Sequence, residues 1–159
     1  MEFTNNNVIK WFDAYFKDFN QSNGDPRTVR NMKKYFTPDM QFISYILNVK
    51  RPESREGLLM TMVHPGLHEE LIPQEYVVDI DRKAVAVRLG CRFKEDATGK
   101  VFPESLVACH YYLVQDAKGD IHIQKILFFA ENKAPTDSSP KDLMKKYREI
   151  ALRNGPIHF

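Results

Sequence analysis

Val8, Trp11, Phe12, Tyr15, Phe16 and Phe19 recur at the spacing of one helical face. They predict an amphipathic helix over about residues 6–20, with an unusually aromatic buried stripe. Asn23-Gly24-Asp25-Pro26 breaks it and starts a second helix, with Asp25 as the cap and Pro26 in the first helical position. Val29, Met32 and Tyr35-Phe36 carry that helix to about Thr37-Pro38. MQFISYILNV, Met40 to Val49, reads as a strand. Pro52-Glu53-Ser54 opens a third helix, SREGLLMTMV, which stops at His64-Pro65-Gly66.

The pattern then turns to strands. Tyr76 to Ile80 and Ala84 to Phe93 are joined by Asp81-Arg82-Lys83, and residues 94–103 form a loop. Glu104 to Gln115 and Ile121 to Ala130 follow, with Asp116-Ala117-Lys118-Gly119 as the turn between them. A linker covers residues 132–138. Ser139-Pro140 opens a last helix that carries Leu143, Tyr147, Ile150 and Ala151 and ends at Asn154-Gly155-Pro156. Helices before a run of hairpin-connected strands give an α+β class. The expected form is a curved sheet, mixed but mainly antiparallel, wrapped around the N-terminal helices. Residues 1–131 would make one domain, with the linker and C-terminal helix of residues 132–159 packed on it.

Charge narrows the function classes. Lys and Arg number 23 against 21 Asp and Glu, a net +2, which is no footprint of a nucleic-acid binder. No apolar run is long enough to span a bilayer, and MEFTNNNVIKWF lacks the basic and apolar regions of a signal peptide. Two cysteines, Cys91 and Cys109, make no disulfide scaffold, so a cytoplasmic location is expected.

Candidate chemistry gathers on the central hairpin. If residues 84–93 and 104–115 close symmetrically about residue 100, Cys91 faces Cys109, Gly90 faces His110 and Arg88 faces Tyr112. Val85, Val87, Leu89, Cys91, Phe93, Val107, Cys109, Tyr111 and Leu113 then share one face, and Arg88, Arg92, His110 and Tyr112 the other. Two readings are open. The polar face lines a cavity, with His110 as acid/base and Arg88 as anion holder. Or the apolar face is core and the polar face is wet or covered by a second chain. The cysteines read as small buried hydrophobes, with a redox pair as the alternative. His64 and His68 have ligand spacing, but Pro65-Gly66 interrupts the helix that would align them, so no metal is expected.

WFDAYFKDFNQSNGD followed by MKKYFTPDMQFISY, the strand VAVRLGCRF, and the pair VACHYYLVQDAKGDIHIQKILFF together resemble the nuclear transport factor 2-like superfamily. That superfamily includes ketosteroid isomerases, polyketide cyclases, scytalone dehydratase and limonene epoxide hydrolase. The resemblance covers roughly residues 6–131 and implies a cone-shaped fold enclosing a mostly apolar cavity. Isomerase-like members carry an aspartate near the end of the first strand, where this chain has Ser44-Tyr45. Their oxyanion-donating tyrosine falls close to Tyr15. Where they place a second acid, this chain has Cys109, His110, Tyr111 and Tyr112. Epoxide hydrolase members follow the strand arginine by an aspartate two residues on; here Arg88 is followed by Gly90.

The resemblance and the residues together lead to one expectation: a site for a small hydrophobic or ring-containing ligand, with acid/base chemistry of the isomerase, cyclase or dehydratase kind. The expected reacting groups are His110, Tyr15, Tyr45 and Arg88. Trp11, Ser44, Met60, His64, Tyr112 and Phe128 are the expected ligand wall. No cofactor is expected, and a homodimer is. The alternative is a non-catalytic carrier, or a dimeric adaptor using the outer face of the sheet.

Overall fold

The computed structural model describes residues 1–45, 51–131 and 140–159. Helix α1 runs Asn5–Ser22, capped by Thr4, whose hydroxyl accepts from the Asn7 N–H at 3.3 Å. Asn23 ends it in the left-handed region. Asp25 caps α2, Pro26–Val29, as its sequence suggests, but the helix tightens at once into a 3-10 segment, Arg30–Tyr35. Strand β1 therefore begins at Phe36, earlier than Met40, and runs Phe36–Ser44. Residues 46–49 of the expected strand lie outside the described residues. A short β2, Arg51–Glu53, and helix α3, Arg55–Thr61, follow; Ser54 caps α3 through its hydroxyl on the Gly57 N–H. Then come β3 (Leu67–Asp79), β4 (Ala84–Glu95), β5 (Ser105–Gln115), β6 (Ile121–Ala130) and α4 (Pro140–Arg153). The linker and Ser139 lie outside the described residues.

The sheet order is β2-β1-β6-β5-β4-β3. The β1/β6 pair is parallel and every other pair is antiparallel. Helix α1 fixes its shape. Phe12 packs on Tyr76 of β3 and Tyr111 of β5, while Tyr15 meets Phe36 of β1. In a flat sheet β3 and β1 would lie about 19 Å apart, four strand spacings, too far for one face of one helix. The sheet instead curls around α1. Asn20 pins the helix along β3: its amide donates to the Leu71 carbonyl at 2.9 Å and its oxygen accepts the Leu71 N–H at 2.8 Å. The Tyr76 hydroxyl donates to Asp13 at 2.9 Å.

Two expectations change. Strand β3 begins at Leu67, nine residues before Tyr76, and is the edge strand. Pro73 is tolerated there, beside an irregularity between Pro73 and Glu75, because an edge position can spare the missing N–H. The hairpin also closes elsewhere. Glu95 N–H bonds to the Lys100 carbonyl and Gly99 N–H to the Glu95 carbonyl, so the turn centres on Asp96–Gly99. Cys109 consequently faces Val87, not Cys91, and Cys91 faces Ser105. The shift is four positions, from Cys91 to Val87, so every side chain keeps its face. Val85, Val87, Leu89, Cys91, Phe93, Val107, Cys109, Tyr111 and Leu113 are all buried in the core against α1. The polar face points outward.

Candidate functional site

The polar groups of the interior collect where α1, the loop after α3 and β3 meet. Gly24, just past α1, accepts the His64 N–H at 3.1 Å, which draws the loop carrying His64 against the helix end. The His64 side chain is 2% exposed and that of Glu69 17%. Glu69 reaches the inside because Leu67, Glu69 and Leu71 alternate on one face of β3, and both leucines are buried.

His64 Nδ1 lies 2.9 Å from the Leu67 carbonyl and Nε2 lies 3.1 Å from Glu69 Oε2. A carbonyl only accepts, so Nδ1 carries a proton. Nε2 is turned to the carboxylate, so the ring and the acid form a close pair through which a proton can pass. The other carboxylate oxygen accepts from the Cys91 thiol at 3.7 Å. Burial, with the Glu69 charge beside it, pushes the Cys91 thiol up, so it stays protonated and donates.

Deeper inside, Tyr111 lies in the core beside Tyr15, their rings 6.1 Å apart, with Cys109 two residues before it on the same face of β5. Burial raises both tyrosines, and pushes the Cys109 thiol up to about 12. All three remain neutral donors across the physiological range. Phe128 pairs with Cys109 across β5/β6 and with Ser44 across β1/β6, and its ring lies 5.8 Å from that of Phe42. Phe42, Phe128 and Ala130 are half-buried against the core. Among the described residues, no group of three or more His, Cys, Asp or Glu side chains is arranged to hold a metal.

The expected residues separate onto two faces. Tyr15, Ser44, His64 and Phe128 lie inside; Trp11 flanks α1 between Tyr15 and Tyr35, and Met60 is half-buried on α3. Outside lie His110, Arg88, Tyr112 and Tyr45. His110 packs 5.5 Å from Phe129, Tyr45 stacks on the same ring at 4.8 Å, Tyr112 takes the Lys125 ammonium over its ring, and Arg88 lies 3.5 Å from Glu75. The arrangement in which Arg88, His110 and Tyr112 line the cavity is not the one formed, because the core needs the apolar face. Instead, Glu75, Val77, Ala86, Arg88, Ala108 and His110 line a shallow outer groove of about 120 Å³. Glu69 was missed because LHEELIPQE, with three glutamates and a proline, reads as loop. Its signal was the leucine on either side at strand spacing.

No family model matches the chain, and no curated protein matches it by sequence. Solved structures do match. AusH from Aspergillus nidulans aligns over 98% of this chain and 99% of its own at a TM-score of 0.60 or better, namely 0.66, with 12% identity. A putative SnoaL-like polyketide cyclase from Jannaschia sp. CCS1 covers 82% of this chain and 89% of its own, with TM-score 0.57 and 13% identity. A protein from Catenulispora acidiphila, solved in complex with S-DNPA, covers 77% and 90%, with TM-score 0.56 and 16% identity. The chain has the nuclear transport factor 2-like cone fold, an α+β architecture with an added C-terminal helix. At these identities the likeness establishes the fold; the chemistry is argued from the residues.

Proposed function

We propose that the inner end of the cone takes a small, hydrophobic, ring-containing molecule and that His64 and Glu69 relocate a proton on it, as an isomerase, cyclase or dehydratase does. The observation that carries this reading is the buried contact of His64 Nε2 with Glu69 Oε2 at 3.1 Å, on the inner face of β3. A pair that can give or take one proton serves enolisation or elimination without an external oxidant. The apolar wall suits a ring, and the neutral hydroxyls of Tyr15 and Tyr111 supply donors for a ligand oxygen. Structural neighbours include a putative polyketide cyclase and a protein crystallised with a small molecule, which agrees with a ligand-binding use of the fold.

The test uses β-tetralone, a bicyclic ketone with exchangeable protons beside its carbonyl. Wild-type protein should accelerate their exchange in heavy water, followed by NMR. Glu69→Gln keeps the shape but removes the acid/base group and should slow that exchange by roughly 10²-fold or more. Unchanged exchange in Glu69→Gln would sink the proton-transfer reading. If β-naphthol still binds in that case, a non-catalytic carrier becomes the account.

The outer face supports a second reading, that a second copy of the chain docks there. Val77 is 62% exposed, and Leu106 and Phe129 are exposed on the same face, with Tyr45 stacked on Phe129. Arg88 stands beside Glu75, Arg92 beside Glu104 and Lys125 over the Tyr112 ring, so the face carries both signs and can be complementary to itself under a two-fold axis. A stable dimer buries about 800 Å² per partner, within the scope of a six-stranded face. Sedimentation equilibrium should return a two-chain mass, and Val77→Glu with Phe129→Glu should return one chain. A wild-type monomer at high concentration rules this docking out.

A further inference from the structure

His64 sits in a short loop, Met62 to Gly66, and helix α4 grips that loop at both ends. On one side, Arg148 Nε donates to the Met60 carbonyl at 2.7 Å and Nη2 to the Thr61 carbonyl at 2.8 Å. These are carbonyls of the last turn of α3, where regular i to i+4 bonding ends and Met60 accepts only a shortened bond from the Val63 N–H at 3.2 Å. On the other side, the Tyr147 ring lies over Gly66, close enough that a Cβ built there would meet Tyr147 Cε1 at 3.0 Å. The Tyr147 hydroxyl donates to Glu95 at 2.8 Å, and the Asp96 N–H bonds to the Gly66 carbonyl at 2.9 Å, so the far end of the loop is tied to the end of β4. Arg148 is half-buried, and burial of its guanidinium is a cost that an ordinary surface arginine avoids. Of α4, only Leu143 is fully in the core. Met144 and Ala151 pack partly buried beside it, and Tyr147 and Arg148 on the same helix frame the His64 loop.

We propose that Arg148, with Tyr147 beside it, is a positioning residue for the His64–Glu69 pair. Helix α4 acts on the site by fixing the loop that carries His64, and contributes no side chain to the proton transfer itself. The guanidinium suits this task. Its fork reaches two adjacent carbonyls at once, so it sets the direction in which the chain leaves α3, which a single-point donor cannot do. The loop is also seated by the buried Met62 and Val63 side chains, the Met62 and Val63 N–H on the Leu59 and Met60 carbonyls, the Gly24 carbonyl on the His64 N–H, and the His64 carbonyl on the Leu67 N–H; Arg148 and Tyr147 add the side-chain contacts from α4. A displacement of Nε2 by about 1 Å suffices to cost on the order of 10²-fold in a positioned proton transfer.

The proposal rests on the His64–Glu69 reading, and its test reads the pair directly. In protein labelled at histidine ring nitrogens, the His64 Nε2 signal reports the contact with Glu69 whether or not any ketone reacts. Arg148→Met should shift that signal and slow β-tetralone exchange by roughly 10-fold or more, with little change in the half-saturating concentration. Arg148→Lys should recover only part of the loss. Tyr147→Phe, which removes only a hydroxyl and should fold, is expected to give a smaller shift of the same sign. A fall in melting temperature with the His64 signal unmoved in both Arg148→Met and Tyr147→Phe makes α4 a purely structural brace and overturns the proposal. If wild-type protein exchanges no ketone, the proton-transfer reading fails by itself, and the His64 signal still decides whether α4 positions the pair.

Discussion

Phe12→Ala should cost roughly 3–5 kcal/mol of folding free energy, read from denaturant unfolding. Phe12 is fully buried. Its ring touches five other rings, those of Trp11, Tyr15, Phe16, Tyr76 and Tyr111, the last at 4.8 Å. Those partners belong to α1, β3 and β5, so the ring is the contact through which the curled sheet closes on the helix. Truncation removes the transfer free energy of the ring and leaves a void that three elements of fixed length cannot collapse to fill. Domains of this size are stable by only about 5–15 kcal/mol, so the variant should approach the limit of folding. Val77→Ala, on the outer face, is the control and should change monomer stability by about 0.5 kcal/mol or less. Comparable losses for the two would mean that the core does not centre on Phe12.

Gly24→Ala should destabilise by roughly 2–5 kcal/mol and disturb the site as well. Gly24 has φ +68°, in the left-handed region, where a side chain costs about 1–2 kcal/mol. A Cβ there would also stand 2.8 Å from the His64 carbonyl carbon, carbonyl oxygen and Nδ1. These are backbone atoms and a buried ring, not the free end of a flexible chain, so the loop must move, with a further overpacking cost of about 1–3 kcal/mol. Moving it breaks the Gly24–His64 backbone bond and separates Nε2 from Glu69. Unfolding free energy and the His64 ring-nitrogen signal should therefore change together. A loss under about 1 kcal/mol with an unmoved His64 signal would show that the loop is not seated on the end of α1 as described.

The sorting of residues onto the two faces of the central hairpin was legible in the sequence, because strand side chains alternate whatever the register. An even error of four positions moved partners but no residue changed sides. The aromatic stripe of α1 likewise announced the core, since helical spacing and large apolar side chains determine burial together. Composition and element order gave the α+β class, and the quoted segments gave the cone fold. Other features depended on contacts far apart in the chain. Where the hairpin turns was decided by the Glu95–Lys100 pairing and Gly99, and nothing in the strands themselves specifies it. Which hairpin face turns inward was decided by α1, whose rings need an apolar partner across the sheet. Glu69 became an inner residue only because β3 is an edge strand long enough to hold LHEEL in register with β4. His64 became its partner because Gly24 and α4 pull a loop between them. Local alternation and spacing determined which side each residue takes. The meeting of His64 with Glu69, and the exclusion of His110 from the interior, are properties of closure, which only the packed chain possesses.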